Sequence, residues 1–118
     1  MSDQFWIKES EMRRPVAVLK IGGRIGVKQA RELRSRCAML RYDGYRHLIL
    51  NMSEVTFIAS SGVGALIVLS GEMRIKGGGM HLACVSQSVM RVIKLLNVDG
   101  FLTIEPDEET ALSKSESK

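Results

Sequence analysis

Aromatic residues, cysteines and long apolar runs are all scarce in this 118-residue sequence. Aromatic residues make up only 5%, which leaves little material for the stacking surfaces that bind single-stranded nucleic acid. The longest apolar stretch, at 63–69, is far shorter than the roughly 20 residues that cross a bilayer, so we expect neither a membrane span nor a signal peptide. Cys37 and Cys84 lie far apart and outside any metal-binding or redox motif, which favours two reduced core residues in a cytoplasmic protein.

The charges are not concentrated in any one segment. The 17 Lys and Arg residues outnumber the 13 Asp and Glu residues, for a formal net charge of +4, but acids stand between several of the basic residues. This distribution favours a solvated surface, and we expect no nucleic-acid partner. Hydrophobic residues account for 45%, as in an ordinary globular protein. We therefore expect one domain over residues 1–118, with a core at about 5–112 and a disordered tail at 113–118.

In the first half of the chain, short apolar runs predict strands at 5–9 and 15–21, joined by a turn at 11–14. The glycines at 22, 23 and 26 predict a loop. A helix follows as far as 43–44, and residues three or four positions apart form its buried stripe: Val27, Ala30, Leu33, Cys37 and Leu40. The next strand, at 47–52, has three consecutive large apolar residues at 48–50, which indicates burial on both faces.

The second half repeats this alternation. An apolar helix runs from Ser60 to Met73, and the glycines at 77–79 form a turn before a strand at 80–85. Ser86 or Ser88 caps a third helix, which ends near residue 97, and its buried stripe consists of Val89, Val92, Ile93 and Leu96. A strand at 101–104 and a short helix opening at 106 complete the chain. The order ββαβαβαβα predicts an α/β fold, a mixed sheet of about five strands packed with about four helices.

Each arrangement that could support catalysis lacks a necessary part. His47 and His81 are the only histidines, and neither stands near a Cys, Asp or Glu at metal-ligand spacing. No serine has glycines both two before and two after it, as a nucleophile elbow requires. The glycines around Arg24 lack the Lys and Ser/Thr of a phosphate-binding loop. We therefore expect no enzyme activity, no catalytic or metal-binding residues and no cofactor.

A pair of serines at the predicted start of the second helix has two interpretations. In the first, the Ser60 hydroxyl caps the helix, while Gly62 and Gly64 allow close packing of the helix against the sheet. In the second, Ser60 carries a phosphate, which would meet free backbone N–H groups and the positive end of the helix dipole. Such a phosphate would add about −1.5 to −2 charges and repel a partner that packs against an uncharged surface. The residues alone leave both open.

The segment at 47–66, HLILNMSEVTFIASSGVGAL, resembles the signature of STAS domains, the anti-sigma factor antagonist family. In that family a strand and a short link end in Asp-Ser-Ser-Gly before a helix. The resemblance covers about 5–112 and includes the glycine turn at 77–79, the third helix at 86–96 and the segment at 98–101. It implies a single STAS-like domain.

The resemblance also implies a function. Proteins of this family are cytoplasmic switches that bind an anti-sigma factor, itself a serine kinase with an ATPase-type fold, and so release a sigma factor. The kinase phosphorylates the first serine of the pair, which breaks the complex, and a serine phosphatase restores it. By this resemblance Ser60 is the phosphorylation site, and partner binding involves Ser60, Ser61, Gly62 and Val63, with the helix at 63–73. We expect a monomer or a weak homodimer.

The chain departs from the family pattern at three places, of which Asn51 in place of a frequent Asp matters least because family members vary there. Ala59 stands where the family has an acid, and Gly-Arg-Ile-Gly at 23–26 replaces Gly-Glu-Leu-Asp. The loop with Arg24 and Ile25 is expected to lie near the serines and to contribute to partner binding, so the loss of carboxylates makes this face more positive. Either Arg24 pairs with a phosphate on Ser60, or the chain retains the docking role without phosphorylation. The alternative function is a non-phosphorylated scaffold subunit of a transport or stress-signalling assembly.

Overall fold

The alternation of strands and helices that the sequence predicts is present in the computed structural model, which describes residues 3–116. The strands are β1 (Trp6–Arg13), β2 (Val16–Ile25), β3 (His47–Ile58), β4 (Gly79–Ala83) and β5 (Ile104–Glu105). The helices are α1 (Val27–Tyr42), α2 (Ser60–Ile75), α3 (Gln87–Leu96) and α4 (Glu108–Glu116), with a single 3-10 turn at Asp99–Phe101. The predicted α/β fold with five strands and four helices is confirmed.

The five strands form one mixed sheet in the order β1-β2-β3-β4-β5. β1 is antiparallel to β2, while β2, β3, β4 and β5 are parallel to one another. A parallel neighbour requires a crossover connection, and α1, α2 and α3 provide the three crossovers. Leu48, Ile49 and Leu50 on the central strand β3 are fully buried, which confirms the prediction of burial on both faces.

Alternate residues of β3 contribute to two separate cores on opposite faces of the sheet, because successive side chains of a strand point in opposite directions. Leu48 and Leu50 belong to the larger core, which includes the buried residues of α1, α2 and α3. Ile49 belongs to a smaller core that includes Ala111 of α4. The face that carries α4 is therefore covered less extensively.

Two boundaries near the start of the chain differ from the prediction. Gly22 and Gly23 lie within β2, which continues to Ile25, because Gly22 is paired with both β1 and β3 and the residues after it are paired with β3. The predicted loop at these positions is therefore wrong. A Cβ at Gly22 would overlap the indole ring of Trp6, so glycine at this position makes room for an aromatic neighbour. Residues 11–13 also belong to a strand, and Arg14 and Pro15 alone form the turn.

The C-terminal region is more ordered than the sequence predicts. Residues 113–116 continue α4 and are not a tail, because Ser115 is buried and its hydroxyl donates to the Leu112 carbonyl at 2.9 Å. Residues 117 and 118, the end of the predicted tail, lie outside the described residues. The predicted strand at 101–104 is reduced to β5, since Phe101 lies in the 3-10 turn. Within 3–116, none of the helices combines the length and apolar character needed to cross a bilayer.

Both cysteines are free thiols, as predicted. Cys37 lies in the larger core and Cys84 is half-buried beside the smaller one. Burial raises the pKa of the Cys37 thiol to about 12, although nearby Arg41 and Arg36 favour the thiolate. Cys37 is therefore an uncharged core residue over the physiological pH range.

Candidate functional site

The two serines lie at the edge of the sheet where the parallel strands end. β3 ends at Ile58, and α2 begins two residues later with Ser60 and Ser61, both exposed. The connecting residue Ala59 is fixed because its backbone N–H donates to the Ile25 carbonyl at the end of β2, at 2.9 Å. The serine pair is therefore presented to solvent from a rigid corner formed by two strands and a helix.

The first turn of α2 has no side-chain cap. Ala59 occupies the N-cap position, and its carbonyl accepts hydrogen bonds from the backbone N–H groups of Gly62 and Val63 at 2.9 and 3.1 Å. The interpretation of Ser60 as the cap is wrong, because Ser60 is already the first helical residue. The first turn also contains no acidic residue, so the positive end of the helix dipole is not compensated there.

Glycine at position 62 brings α2 close to the sheet. A Cβ at Gly62 would lie 2.7 Å from Ile58 Cγ1 and 3.1 Å from Ile25 Cγ2, which is shorter than the usual contact of about 3.5–4.0 Å between carbon atoms. The expectation of close packing is confirmed for Gly62. It is wrong for Gly64, where a Cβ would meet nothing within 4 Å.

The six residues expected to bind a partner fall into two groups. Arg24, Ser60 and Ser61 are exposed, whereas Ile25, Gly62 and Val63 are buried. The buried three offer no exposed side chain, so their contribution to partner binding stays a prediction and would be indirect. Their apolar contacts place the first turn of α2 against the ends of β2 and β3, so they position the exposed serines.

Arg24 lies at the end of β2, paired in register with Phe57 at the end of β3. Its guanidinium carbon stands 4.2 Å from the centroid of the Phe57 ring, a cation–π contact. The Arg24 backbone N–H donates to the Asp3 carbonyl at 2.8 Å, so strand pairing fixes Arg24 and it is not on a free loop. The Arg24 charge therefore lies next to the partly exposed ring of Phe57, which is three residues before Ser60 in the chain.

A shallow groove of about 230 Å³ runs between α1 and α2 and reaches Ser61. Its lining is apolar and basic without a carboxylate, and consists of Val27, Ala30, Arg31, Arg34, Ser61, Ala65 and Val68. Val27 and Val68 are exposed. The sequence prediction placed Val27 in the buried stripe of α1. This prediction is wrong, because Val27 is the first residue of that helix and is 57% exposed. The pairing of α1 with α2, which no local pattern indicates, creates this groove.

The STAS family model matches residues 8–111 of this chain. The chain belongs to the STAS domain family. Its fold is similar to that of an anti-sigma factor antagonist from Mycobacterium paratuberculosis, with a TM-score of 0.78 and 22% identity over 98% of this chain and 99% of that one. It is also similar to the unphosphorylated form of the anti-sigma factor antagonist SpoIIAA, with a TM-score of 0.77 and 20% identity over 98% of both chains.

A third similar structure comes from a larger protein of a different kind. The murine anion transporter Slc26a9 matches 92% of this chain with a TM-score of 0.73 and 18% identity, but the match covers only 19% of the transporter chain. The fold of this chain therefore occurs both as nearly the whole of a small protein and as a part of a transporter chain.

The histidines of this STAS domain occupy structural positions in the sheet. His47 and His81 are both buried, and His81 Nδ1 lies 3.4 Å from Glu105 Oε2 across the β4–β5 edge. Glu105 is buried as well, and its other oxygen accepts from Lys114 Nζ of α4 at 3.0 Å. This network attaches α4 to the sheet. His81 and Glu105 are 24 positions apart in the sequence, so local patterns do not predict this contact, which the pairing of β4 with β5 creates.

Proposed function

We propose that this STAS domain is a cytoplasmic anti-sigma factor antagonist, a non-catalytic protein that binds an anti-sigma factor and so releases a sigma factor. The observation that carries the proposal is the position of Ser60, exposed on the uncapped first turn of α2. The STAS resemblance assigns the phosphoacceptor to this serine. A kinase can reach an exposed hydroxyl at a helix start, and phosphorylation there does not require local unfolding.

Phosphorylation of Ser60 would act on binding rather than on folding. A phosphate at a helix N-terminus gains roughly 0.3–1 kcal/mol from the dipole, and the first turn of α2 has no carboxylate that would oppose it. The added charge of about −1.5 to −2 changes the docking surface directly. Arg24 directly precedes Ile25, whose carbonyl holds Ala59, and we propose that this arginine pairs with the phosphate at the cost of its contact with Phe57.

The docking surface that we propose combines Ser60 and Ser61 with Arg24 and the groove between α1 and α2. Its apolar groups, Val27 and Val68, lie beside Arg31 and Arg34, and no acid lines the groove, although Arg34 pairs with Glu72 outside it. A partner with an apolar contact residue and nearby carboxylates would fit this surface. The partner under this proposal is a serine kinase with an ATPase-type fold, opposed by a serine phosphatase, and the domain acts as a monomer or weak homodimer.

The first experiment is the intact mass of the protein isolated from its native cells during growth and under stress, with the modified peptide sequenced. We expect a phosphate on Ser60 in one of the two conditions. A chain that is unmodified in both would contradict regulation by phosphorylation.

The second experiment measures affinity for the copurified anti-sigma factor with three variants. Ser60→Asp should bind at least roughly tenfold more weakly because it introduces charge into the contact. Ser60→Ala should bind about as well as the unsubstituted chain. Ser113→Asp is the control for added charge and should also keep this affinity, because Ser113 is exposed on α4, away from the proposed docking surface. Equal affinity of all three for the anti-sigma factor would contradict the proposed role of Ser60.

One feature of the site favours a second candidate function. Ala59 provides no carboxylate before the serines, and Arg24, held against Phe57, stands in place of a second acid of the family pattern. The carboxylates that the resemblance associates with the kinase-regulated surface are therefore missing. A scaffold subunit of a transport or stress-signalling assembly would use the same surface permanently. Copurification with a transporter or a multi-subunit particle, with no phosphate on Ser60, would support this candidate over the first.

A further inference from the structure

A second concave surface lies at the opposite end of the sheet from Ser60. It is a hollow of about 570 Å³ formed where α1 and α2 end and where the chain enters β3, and it is lined by Ala38, Arg41, Tyr42, Gly44, Arg46 and Lys76. Arg46 directly precedes β3, whereas Ser60 follows its end, so the 12-residue strand separates the two surfaces. A molecule bound in this hollow would leave the serine site free.

The backbone beneath the hollow is rigid. The Arg46 N–H donates to the Pro15 carbonyl at 2.8 Å, and the Arg46 carbonyl accepts from the Gly79 N–H at 3.0 Å. A Cβ at Gly78 would overlap the Arg46 carbonyl oxygen, so the turn after α2 reaches this contact only with glycine. The glycine triplet of the sequence therefore fixes the loop before β3 against the turn that follows Lys76. The backbone segments that carry Arg46 and Lys76 are therefore held next to each other before any ligand arrives.

The hollow is strongly basic. Three of its six lining residues are cations and none is an acid. The nearby carboxylate of Glu72 is already shared between Arg34 and Arg41 at 3.6 and 3.5 Å. Arg46 and Lys76 take part in no ion pair within residues 3–116. Cations near helix C-termini offset the dipole, which accounts for Arg41 and Lys76, but Arg46 lies on no helix.

Several large apolar side chains at the same end of the molecule are exposed to solvent. Tyr42 is 90% exposed, Ile75 is 84% exposed and Met39 is 64% exposed. Met39 and Tyr42 lie one turn apart on α1, and Ile75 directly precedes Lys76. Single exposed apolar residues are normal, but Tyr, Met and Arg grouped together are typical of protein interfaces.

We propose that this hollow docks an acidic segment of a partner protein, whose carboxylates face Arg46 and Lys76 and whose apolar side chains pack on Tyr42 and Ile75. The positive charge without acids selects an anionic partner. Exposed Tyr42 and Met39 beside arginines are the residue types enriched in protein interfaces, which favours a peptide segment as the anionic partner. This surface does not depend on the proposed anti-sigma function, because none of its residues belongs to the serine site.

The test is selection of displayed random peptides, each about 12 residues long, on the purified chain, followed by affinity measurement of the selected peptides. We expect them to be enriched in Asp and Glu together with an aromatic or aliphatic residue. They should bind roughly tenfold or more weakly to the double variant Arg46→Glu/Lys76→Glu, and affinity should fall with added salt.

The matched control is Lys8→Glu/Lys20→Glu, which changes the net charge equally at an exposed cross-strand pair of β1 and β2. Affinity for the selected peptides should be unchanged in this control. Three results would overturn the proposal: no enriched peptides, enriched peptides without acids, or equal loss of binding in both double variants. Binding of vesicles of anionic phospholipid that depends on Arg46 and Lys76, in the absence of peptide binding, would also overturn it. Circular dichroism of each variant checks that the fold is retained.

Discussion

Replacement of Gly62 by alanine tests how closely α2 is packed against the sheet. The new Cβ would lie 2.7 Å from Ile58 Cγ1 and 3.1 Å from Ile25 Cγ2. Both isoleucines are buried, and the hydrogen bond from Ala59 to Ile25 limits movement of the corner. Overpacking of this kind costs roughly 1–3 kcal/mol. Gly64→Ala is the matched control because its Cβ would meet nothing within 4 Å.

The two variants separate packing from helix propensity. Alanine is favoured over glycine within a helix by about 1 kcal/mol, and both variants receive this gain. Gly64→Ala should therefore raise the free energy of unfolding by about 1 kcal/mol, while Gly62→Ala should change it by roughly zero to 2 kcal/mol in the destabilising direction. The expected difference between the variants is about 1–3 kcal/mol.

Urea unfolding followed by circular dichroism measures this difference, and thermal unfolding should show a gap of several degrees, at roughly 4 °C for each kcal/mol in a domain of this size. The slope of the urea transition should be the same for both variants. If Gly62→Ala is as stable as Gly64→Ala, then α2 is not packed against the two isoleucines as described. The positioning of Ser60 by that contact would be refuted as well.

Three further predictions concern the polar and buried groups. Asn51→Asp should lower the free energy of unfolding by about 1–3 kcal/mol. Asn51 Nδ2 donates to Glu108 Oε2 at 2.6 Å, and a carboxylate at position 51 would repel the Glu108 carboxylate. Addition of Glu108→Gln should recover most of the loss, which a double-mutant cycle would measure. In the native protein a thiol reagent should modify Cys84 well before the buried Cys37, and equal labelling rates would contradict the burial of Cys37. The free energy of unfolding should fall as pH rises from about 9 to about 12, because the folded Cys37 keeps its proton over this interval while the unfolded thiol loses it. Ser60→Ala should change the free energy of unfolding by no more than about 0.5 kcal/mol in urea titrations, because Ser60 is exposed and is not the helix cap; a loss above about 1 kcal/mol would show that its hydroxyl has a structural role.

The sequence was most informative where a pattern is local. The continuous apolar run at 48–50 predicts a strand buried on both faces, and the spacing of Leu33, Cys37 and Leu40 predicts one buried face of α1. Both are confirmed. The serines follow β3 directly in the chain, so their position at the start of α2 could also be predicted from the order of residues.

Predictions based on residue type alone were less successful. Gly22 and Gly23 predict a loop, yet both belong to a strand, because pairing of Gly22 with β1 and of both glycines with β3 outweighs the weak strand preference of glycine. The serine and lysine content at 113–116 suggests a tail, yet Ser115 is buried in α4. In both cases partners that are distant in the sequence decide the outcome.

By itself, the sequence determined the alternation of strands and helices, the central place of β3 and the position of Ser60 at a helix start, because each depends on residues close together in the chain. Only the tertiary structure decided which of the candidate residues reach the surface. It buried Ile25 and Val63 and placed Arg24 on Phe57. It also brought Arg46 and Lys76 to one hollow, since the crossovers of a parallel sheet gather the ends of separate elements at one edge.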